Sequence, residues 1–413
     1  MKIAILGHGK EGRSLEEYFE TRGNSIEIFD DFTNADLDKM DFSEFDLIFR
    51  SPSVHPKDNF SSMTKYFFEH KKASVIGVTG TKGKGTTCSL IAEILKALGK
   101  KVYLVGNIGN PSLDVLDELT PEDVVVYEMS SFQLWDMTAS PEVAVVLRIE
   151  ADHLNVHDGF DDYVRAKGHI AEFQKPEDVL VYFKNNQWSR EIAEKSKALS
   201  KFSYPEEEKP VGMEELFDAL AVPGAHNREN AEAALLAVAG YLKMPVEELI
   251  SRYSTEIRAA FGGFKGLPHH IEFVRNLNGV DYYDDSFSAS EPSLEVAVKA
   301  FEGRPVVLIA GGKDRGLDLT PIRAAIFEPE NMKKVFLIGE TREGLAKGAD
   351  ANRYEIVDSL KEAVLLAKIF AEKMVSGDIK PVVLLSPGAA SFDMFKDFYD
   401  RGDQFKALVE GLE

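Results

Sequence analysis

Short apolar runs alternate with amphipathic stretches along most of this chain, and this alternation constrains the fold more than any other feature. The runs are rich in Val and Ile and end at Gly, Asp, Ser or Pro, which is typical of buried strands. In the first part of the chain they are Lys2–Leu6, Ser25–Phe29, Asp46–Phe49, Val75–Thr79, Lys101–Val105, Val124–Tyr127 and Val143–Leu147. The pattern predicts an α/β fold whose parallel sheets are covered by helices on both faces.

The length of 413 residues predicts more than one domain, because single cores usually divide beyond about 250–300 residues. We place one boundary at a charged stretch before Ser74 and another at the glycine-rich residues 261–266, which suit a hinge. The predicted domains are residues 1–73, 74–263 and 264–413. In the last domain Asn278-Gly279 predicts a hairpin. The strands expected there are His270–Arg275, Val280–Asp284, Val306–Ile309, Lys334–Ile338 and Pro381–Leu385.

Composition excludes several classes of protein. The net charge of −21 argues against a sequence-independent nucleic-acid binder, which needs a basic face. A single cysteine, Cys88, excludes an internal disulfide and a cysteine-rich zinc site. No apolar run approaches the ~20 residues that span a bilayer, and the first residues lack the features of a signal peptide. We therefore expect a cytoplasmic enzyme that binds neither nucleic acid nor membrane.

The first glycine-rich loop, Gly7-His8-Gly9-Lys10-Glu11-Gly12, follows a predicted strand and opens a helix over Arg13–Thr21. Asp30 ends the next strand, so the dinucleotide fingerprint stands in its required context. Backbone N–H groups at such a helix start bind a nucleotide diphosphate. The alternative is a tight turn without a ligand. Taken alone, the loop favours a nicotinamide-dependent dehydrogenase.

A second glycine-rich loop leads from the fourth predicted strand into a helix over Thr86–Leu98, and its composition indicates a phosphate-binding loop. Its backbone N–H groups would cradle phosphates, and Lys84 would add a cation at the β/γ oxygens. The loop departs from the pattern G-x-x-x-x-G-K-[ST], because Val78 takes the place of the first glycine and Gly85 that of the Mg²⁺-binding hydroxyl. The expected nucleotide-binding residues are Gly80, Thr81, Lys82, Gly83, Lys84, Gly85, Thr86 and Thr87.

Three further residues would supply the metal ligands and positive charge that phosphoryl transfer needs. Glu128 follows a predicted strand directly, and His153 follows the next one. Lys167 lies 14 residues after His153. Each also has a simpler interpretation, respectively a helix-capping acid, a hydrogen-bonded loop histidine and a solvated charge.

Seven motifs occur in order along nearly the whole chain, and together they resemble the Mur ligase family. They are Gly80-Thr81-Lys82-Gly83-Lys84, Glu128-Met129-Ser130-Ser131-Phe132-Gln133-Leu134, Asp152-His153-Leu154-Asn155, His226-Asn227-Arg228-Glu229-Asn230, Gly266-Leu267-Pro268-His269, Asp284-Asp285-Ser286 and Ser386-Pro387-Gly388-Ala389-Ala390-Ser391-Phe392-Asp393-Met394-Phe395. The resemblance implies a Rossmann-like domain for a UDP moiety, a central ATPase domain and a C-terminal Rossmann-like domain.

The resemblance also implies an activity, which is the ATP- and Mg²⁺-dependent joining of D-glutamate to UDP-N-acetylmuramoyl-L-alanine (UDP-MurNAc-L-Ala) by a monomer. The γ-phosphate would pass to the substrate carboxylate, and the amino acid would attack the resulting acyl phosphate. Two alternatives stay open, namely a ligase for another amino acid or for folate polyglutamylation, and a non-catalytic UDP-sugar binder. A dehydrogenase would leave Glu128 and His153 without a role.

The site residues that the resemblance implies fall into four groups. For metal and phosphate they are Lys84, Glu128, His153 and a carbamylated Lys167, with Asn107 near substrate and metal and Ser130 or Ser131 beside metal and phosphate. The loop itself offers Thr86 or Thr87 as the nearest hydroxyl for Mg²⁺. For ATP they include Asn227, Asn230 and Asp285. For the uridine nucleotide they are Gly9, Gly12, Asp30, Ser51 and Pro52, and for D-glutamate Arg315, Ser391 and Phe398.

Three residues depart from the family pattern around the amino-acid and nucleotide sites. Phe287 stands where lysine is common, Ala289 where a threonine is common, and His270 where arginine is common. Ser288 and Ser290 flank Ala289 and could supply the missing hydroxyl. These departures leave the expected chemistry intact but weaken the assignment of D-glutamate.

Overall fold

A computed structural model describes residues 1–153, 156–377 and 379–413 of the chain. Leu154 and Asn155 of the Asp-His-Leu-Asn motif lie outside these residues. The described residues form two compact units, which are Met1–Ala219 with Arg228–Phe261, and Leu220–Asn227 with Gly262–Glu413. The division into three domains stays a prediction. A helix runs to Gly263, so two of the glycines expected in a hinge end a helix instead.

The first sheet has four parallel strands in the order β2-β1-β3-β4, as the alternating pattern predicted. Its strands are β1 (Lys2–Leu6), β2 (Ser25–Phe29), β3 (Leu47–Arg50) and β4 (Ser61–Ser62). The helices of this region are α1 (Lys10–Glu20), α2 (Met63–His70) and a short 3₁₀ helix, Asn34–Lys39.

The second sheet has six parallel strands in the order β10-β9-β8-β5-β7-β6. Its strands are β5 (Ser74–Thr79), β6 (Val102–Gly106), β7 (Val124–Glu128), β8 (Val143–Val146), β9 (Val179–Phe183) and β10 (Ser200–Tyr204). The helices are α3 (Lys84–Ala97), α4 (Leu113–Leu116), α5 (Ser131–Leu134), α6 (Phe160–Glu172), α7 (Gln187–Lys195), α8 (Met213–Phe217), α9 (Ala225–Leu242) and α10 (Val246–Gly263). Because β5 and β7 are neighbours, the loops that follow them meet at one edge of the sheet.

The third sheet belongs to the second unit and has the order β11-β12-β16-β13-β14-β15. Its strands are β11 (Glu272–Leu277), β12 (Val280–Asp284), β13 (Val306–Ala310), β14 (Met332–Leu337), β15 (Tyr354–Ile356) and β16 (Val382–Leu385). The helices are α11 (Glu291–Lys299), α12 (Thr320–Phe327), α13 (Arg342–Ala346), α14 (Leu360–Glu372) and α15 (Phe398–Glu410). β11 and β12 form the predicted antiparallel hairpin, and Asn278 and Gly279 both have positive φ, as its turn requires.

Buried aliphatic and aromatic side chains pack on the sheets and hold the helices against them. In the second unit separate clusters cover the two faces of the sheet, which confirms the predicted helix–sheet–helix layering. Within the described residues, no helix is long and apolar enough to cross a membrane.

A buried arginine joins the first two sheets inside the first unit. Arg50, at the end of β3, is fully buried, and its guanidinium bonds Asp136 through both Nε (3.0 Å) and Nη2 (2.5 Å). Nη2 also donates to the Phe132 carbonyl in α5 at 2.9 Å. In the same region Gln133 of α5 donates to Glu11 of α1 at 2.7 Å. The short helix α5 therefore contacts the elements that carry the first glycine-rich loop.

We expect Asp136→Ala to lower the free energy of unfolding by about 3–5 kcal/mol, because it leaves the charge of Arg50 buried and unpaired. Urea denaturation of the purified variant measures this. The matched control is Asp117→Ala, which removes the partner of the more exposed Arg22 and should cost less than about 1 kcal/mol. Equal small losses in the two variants would contradict a structural role for the buried pair.

Candidate active site

The second glycine-rich loop has a backbone that its glycines make possible. Gly80 has φ 152°, and a Cβ there would lie 2.6 Å from the Cβ of Leu147. The Thr81 N–H donates to the Arg148 carbonyl at 2.9 Å. The Thr81 hydroxyl donates to the Glu150 carbonyl at 3.0 Å and accepts from the Glu150 N–H at 2.8 Å. These contacts fix the loop to the segment that follows β8.

The loop enters helix α3 through Gly83, whose φ is 84°. A Cβ at Gly83 would lie 2.5 Å from Oδ1 of Asn230, and the buried Thr87 hydroxyl donates to the same oxygen at 3.4 Å. The structure thus brings Asn230 to the loop, as expected for a nucleotide-site residue. Lys84 opens the helix, and its Nζ donates to the Thr81 carbonyl at 3.0 Å. Thr86 is only half-buried, whereas Thr87 is enclosed.

Glu128 ends β7 and is almost fully buried. Its Oε1 accepts a hydrogen bond from the Asn107 side chain at 3.0 Å. Its Oε2 has no hydrogen-bond partner among the described residues, although it is buried. Burial raises the pKa of Glu128, and the positive charges of Lys84 and Lys167 oppose this shift. A buried carboxylate oxygen without a partner indicates a place for a cation.

Lys167 of α6 is buried to 1% exposure, and its Nζ donates to the Gly80 carbonyl at 2.8 Å. The same Nζ lies 4.6 Å from the centre of the Tyr163 ring. Burial, together with the nearby charge of Lys84, lowers the pKa of Lys167 well below its ordinary value. The sequence alone allowed a solvated helix charge at Lys167, and the structure rules that out.

His153 has φ 53° and a half-exposed ring. That ring lies 5.0 Å from the ring of Phe132, and its Nε2 lies 3.6 Å from a carboxylate oxygen of Asp152. Its expected role as a metal ligand stays a prediction.

The residues expected to bind the uridine nucleotide cluster around the first glycine-rich loop. A Cβ at Gly12 would lie 2.2 Å from the Gly7 carbonyl oxygen, so the tight turn itself requires glycine. The buried Ser51 hydroxyl donates to that same oxygen at 2.8 Å. Asp30 accepts a hydrogen bond from the His8 N–H at 2.7 Å. Gly9 is the N-cap residue of α1, and Ser51 and Pro52 directly follow β3.

Sequence reasoning missed a buried hydrogen-bonded chain next to the expected residue Ser131. The Ser131 hydroxyl lies 2.9 Å from Nε2 of His157, and Nδ1 of His157 lies 2.9 Å from Oδ2 of Asp162. All three side chains are buried, and burial lowers the pKa of His157. The one signal available in the sequence was the position of His157 four residues after His153.

In the second unit, Asp285 follows β12 and has both carboxylate oxygens engaged within that unit. Ser386 donates to Oδ2 at 2.7 Å, and the Ile271 N–H donates to Oδ1 at 3.2 Å. Burial raises the pKa of Asp285 to about 8, and the neighbouring Asp284 contributes in the same direction. Asn227 also belongs to this unit and donates to the Pro223 carbonyl at 2.7 Å.

The residues expected at D-glutamate lie beyond the carboxyl ends of two adjacent strands, β13 and β16. Arg315 is exposed in the loop after β13, and Ser391 is buried in the loop after β16. The two loops are joined by a hydrogen bond from the Lys313 N–H to the Ala390 carbonyl at 2.8 Å. Phe398 begins α15, which follows the second of these loops.

Two of the departures from the family pattern contact each other. The rings of Phe287 and His270 lie 4.1 Å apart, and the ring of Phe398 meets Phe287 edge-on at 5.0 Å. An aromatic pair therefore stands where the family commonly has two cations. The hydroxyls of Ser288 and Ser290, which could replace a missing threonine, both lie within hydrogen-bond distance of Ser293, at 3.2 and 2.9 Å respectively.

Comparison with known proteins gives four further findings. Residues 78–238 match the model of the Mur ligase middle domain. The chain is 34% identical to a UDP-N-acetylmuramoylalanine–D-glutamate ligase of Acetivibrio thermocellus, over 100% of this chain and 97% of the relative. A protein of the same name from Symbiobacterium thermophilum is 36% identical, over 83% and 76% of the two chains. The fold is similar to that of the MurF ligase of Thermotoga maritima in complex with ADP, with a TM-score of 0.57, 17% identity, and 99% and 95% of the chains covered.

A phosphate-binding loop and a buried acid at one edge of a parallel sheet, in a chain with this likeness, define an ATP-dependent ligase of peptidoglycan precursor synthesis. The chain belongs to the Mur ligase family.

We expect Asp285→Asn to change how stability depends on pH. Between pH 4 and about 8 the unfolded carboxyl is ionised while the folded one holds its proton, so the wild type loses stability as the pH rises through this window. The variant lacks this titration. The difference in free energy of unfolding, variant minus wild type, should therefore increase from pH 4 to about 8 and stay constant above that pH. Denaturation at several pH values measures both. A constant difference across the window would contradict the raised pKa.

Proposed function

We propose that this chain joins D-glutamate to UDP-MurNAc-L-Ala at the expense of ATP. The proposal rests on one observation above the others, namely the buried Oε2 of Glu128, which lacks a hydrogen-bond partner among the described residues. Glu128 stands on β7, beside the strand that carries the phosphate loop. The names of the full-length relatives supply the substrates.

The residues around Glu128 fit a Mg²⁺ ion. Carboxylate, hydroxyl and carbamate oxygens are the hard ligands that Mg²⁺ prefers. Glu128 and Thr86 would supply two of these, while His153 and a carbamylated Lys167 would complete the set. When bound, the ion supplies positive charge that neutralises the transferring phosphoryl group.

The buried amine supports carbamylation of Lys167. Burial lowers the pKa of Lys167, which raises the share of uncharged amine, and an uncharged amine is the form that attacks carbon dioxide. The addition of carbon dioxide forms an N–C bond and releases one proton from the amine, so an uncharged amine becomes an anionic oxygen ligand. In that form Lys167 would attract the metal.

The chain's own groups then position the reactants. The loop from Gly80 to Gly85 and the cation of Lys84 would hold the β- and γ-phosphates of ATP at the start of α3. The substrate carboxylate takes the γ-phosphoryl group, ADP leaves, and the amine of D-glutamate attacks the acyl carbon and expels phosphate. Because a carboxylate alone is a poor acyl donor, most of the protein's task is orientation and charge neutralisation.

The two substrates would bind at opposite ends of the chain's sequence. Gly9, Gly12 and Asp30, with Ser51 and Pro52, would take the uridine nucleotide at the first loop. Arg315 would pair with a carboxylate of D-glutamate through its fork of donors, beside Ser391 and Phe398. We also propose that Asn227 and Asp285 contribute to the nucleotide site and that the enzyme acts as a monomer.

A phosphate-release assay with ATP, Mg²⁺ and UDP-MurNAc-L-Ala, run across D- and L-amino acids, tests the function. We expect release that depends on D-glutamate and a product that retains it. Release with another amino acid and none with D-glutamate would show that Phe287, Ala289 and His270 mark a different specificity.

Lys84→Ala should abolish ADP formation while calorimetry shows UDP-MurNAc-L-Ala binding unchanged within about twofold. The control is Lys96→Ala at the exposed far end of the same helix, which should retain activity.

We expect Lys167→Ala to be inactive and to regain part of its activity in acetate or formate, because a small carboxylate can replace the carbamate as an oxygen ligand. Activity measured against carboxylate concentration checks this. Lys84→Ala should gain nothing from the same additives. Failure of rescue at every concentration would contradict a metal-ligand role for Lys167.

A further inference from the structure

Ser131, His157 and Asp162 form a continuous buried chain of hydrogen bonds beside the phosphate loop. The two links are 2.9 Å each, from the Ser131 hydroxyl to Nε2 and from Nδ1 to the Asp162 carboxylate. The His157 side chain is fully buried, and the side chain of Asp162 is 5% exposed. Of the expected site residues, only Ser131 takes part in this chain of hydrogen bonds.

The carboxylate of Asp162 is itself fixed from several directions. It accepts hydrogen bonds from the Asp158 N–H at 3.3 Å, from the Trp135 indole at 3.4 Å and from Arg165. An ionised carboxylate can only accept hydrogen bonds, so Nδ1 of His157 must donate to Asp162. In the neutral imidazole ring the single proton therefore resides on Nδ1. Nε2 is then an acceptor, and the Ser131 hydroxyl must donate to it.

Aromatic neighbours prevent the His157 ring from turning. Phe132 stacks on it with an interplanar angle of 7° and a centroid distance of 5.1 Å, and the Trp135 ring lies at 4.4 Å. Tyr163 meets it edge-on at 5.4 Å. The hydrogen-bond direction at Ser131 is therefore set by the ring and not by solvent.

His157 also touches the phosphate site through Tyr163. The hydroxyl of Tyr163 lies 3.0 Å from that of Thr81 in the phosphate loop, and its ring lies under the Lys167 amine. One immobilised ring thus connects the start of α5, the phosphate loop and the buried lysine. The order of groups matches a serine hydrolase triad, but Ser131 is 2% exposed and the histidine is enclosed, which excludes attack on an external ester.

We propose that His157, oriented by Asp162, is a positioning residue that acts through Ser131 and Tyr163 to hold α5 and the phosphate loop in the geometry that phosphoryl transfer needs. Small displacements of positioning groups slow the chemical step more than they weaken binding. The kinetic part of this inference rests on the proposed ligase function, whereas the hydrogen-bond arrangement does not.

The kinetic test compares His157→Asn, His157→Gln and Ser131→Ala with the wild type. Asn keeps a donor near Nδ1 but has no atom near Nε2, and we expect kcat to fall about tenfold with KM for ATP within about threefold. Gln keeps an acceptor near Nε2 and should recover most of kcat. In the double variant Ser131→Ala/His157→Asn, the loss should equal that of the larger single change, since both break one chain.

The matched control is His169→Ala, which removes another bond between α6 and α5, from Nδ1 of His169 to the Leu134 carbonyl at 2.8 Å. It should lower thermal stability without changing kcat per folded molecule. Additive losses in the double variant, or equal loss of kcat in the control, would overturn the positioning role in favour of a structural one.

A second measurement needs neither a histidine variant nor activity. In ¹⁵N-histidine-labelled protein, one neutral ring protonated at Nδ1 should change its Nε2 resonance in Ser131→Ala, because the hydroxyl that donates to it is gone. No such change would overturn the proposed hydrogen-bond arrangement. If the wild type releases no phosphate with any amino acid while this signature is present, the ligase proposal fails and the arrangement stands.

Discussion

The hydrogen bond between the buried Lys167 amine and the Gly80 carbonyl is the contact on which the central site depends. It fixes helix α6 to the phosphate loop at 2.8 Å. The same burial makes the ammonium form costly, so the site favours an uncharged amine at its centre. Burial raises the pKa of Glu128, and its Oε2 has no hydrogen-bond partner among the described residues. Both groups favour the bound cation and the carbamylated lysine that we propose, because these would compensate the buried carboxylate and amine.

Around this centre the chain uses local positive features, since a net charge of −21 cannot attract anionic substrates over long range. We propose that helix starts, Lys84 and Arg315 serve that purpose. In the second unit Phe287 and His270, whose rings are in contact, stand where two cations are common in the family. The exchange removes positive charge where the amino acid and nucleotide are expected to bind.

Much of the architecture was predictable because it depends on short-range pattern. Runs such as Lys2–Leu6 and Val280–Asp284 fold as strands with the expected bounds. Helix α10 continues through Gly262 to Gly263, where a loop was expected, although the boundary between the two compact units still falls between Phe261 and Gly262. The strand Ser200–Tyr204 was missed, since its half-exposed edge position gives it little apolar signal. Its place in the sheet depends on pairing with β9.

The sequence by itself determined the class of fold and the two glycine-rich loops, and it made Lys84 and Glu128 candidates because strand–loop–helix order places such residues at one edge of a parallel sheet. Lys167 was a candidate too, although it lies inside helix α6. Only the tertiary structure decided which groups they meet. The contacts of Arg50 with Asp136 and of His157 with Ser131 join residues 86 and 26 positions apart, and no local pattern encodes such pairings. Burial is likewise a property of the packed chain, and burial is what shifts the pKa of Lys167 and of Asp285.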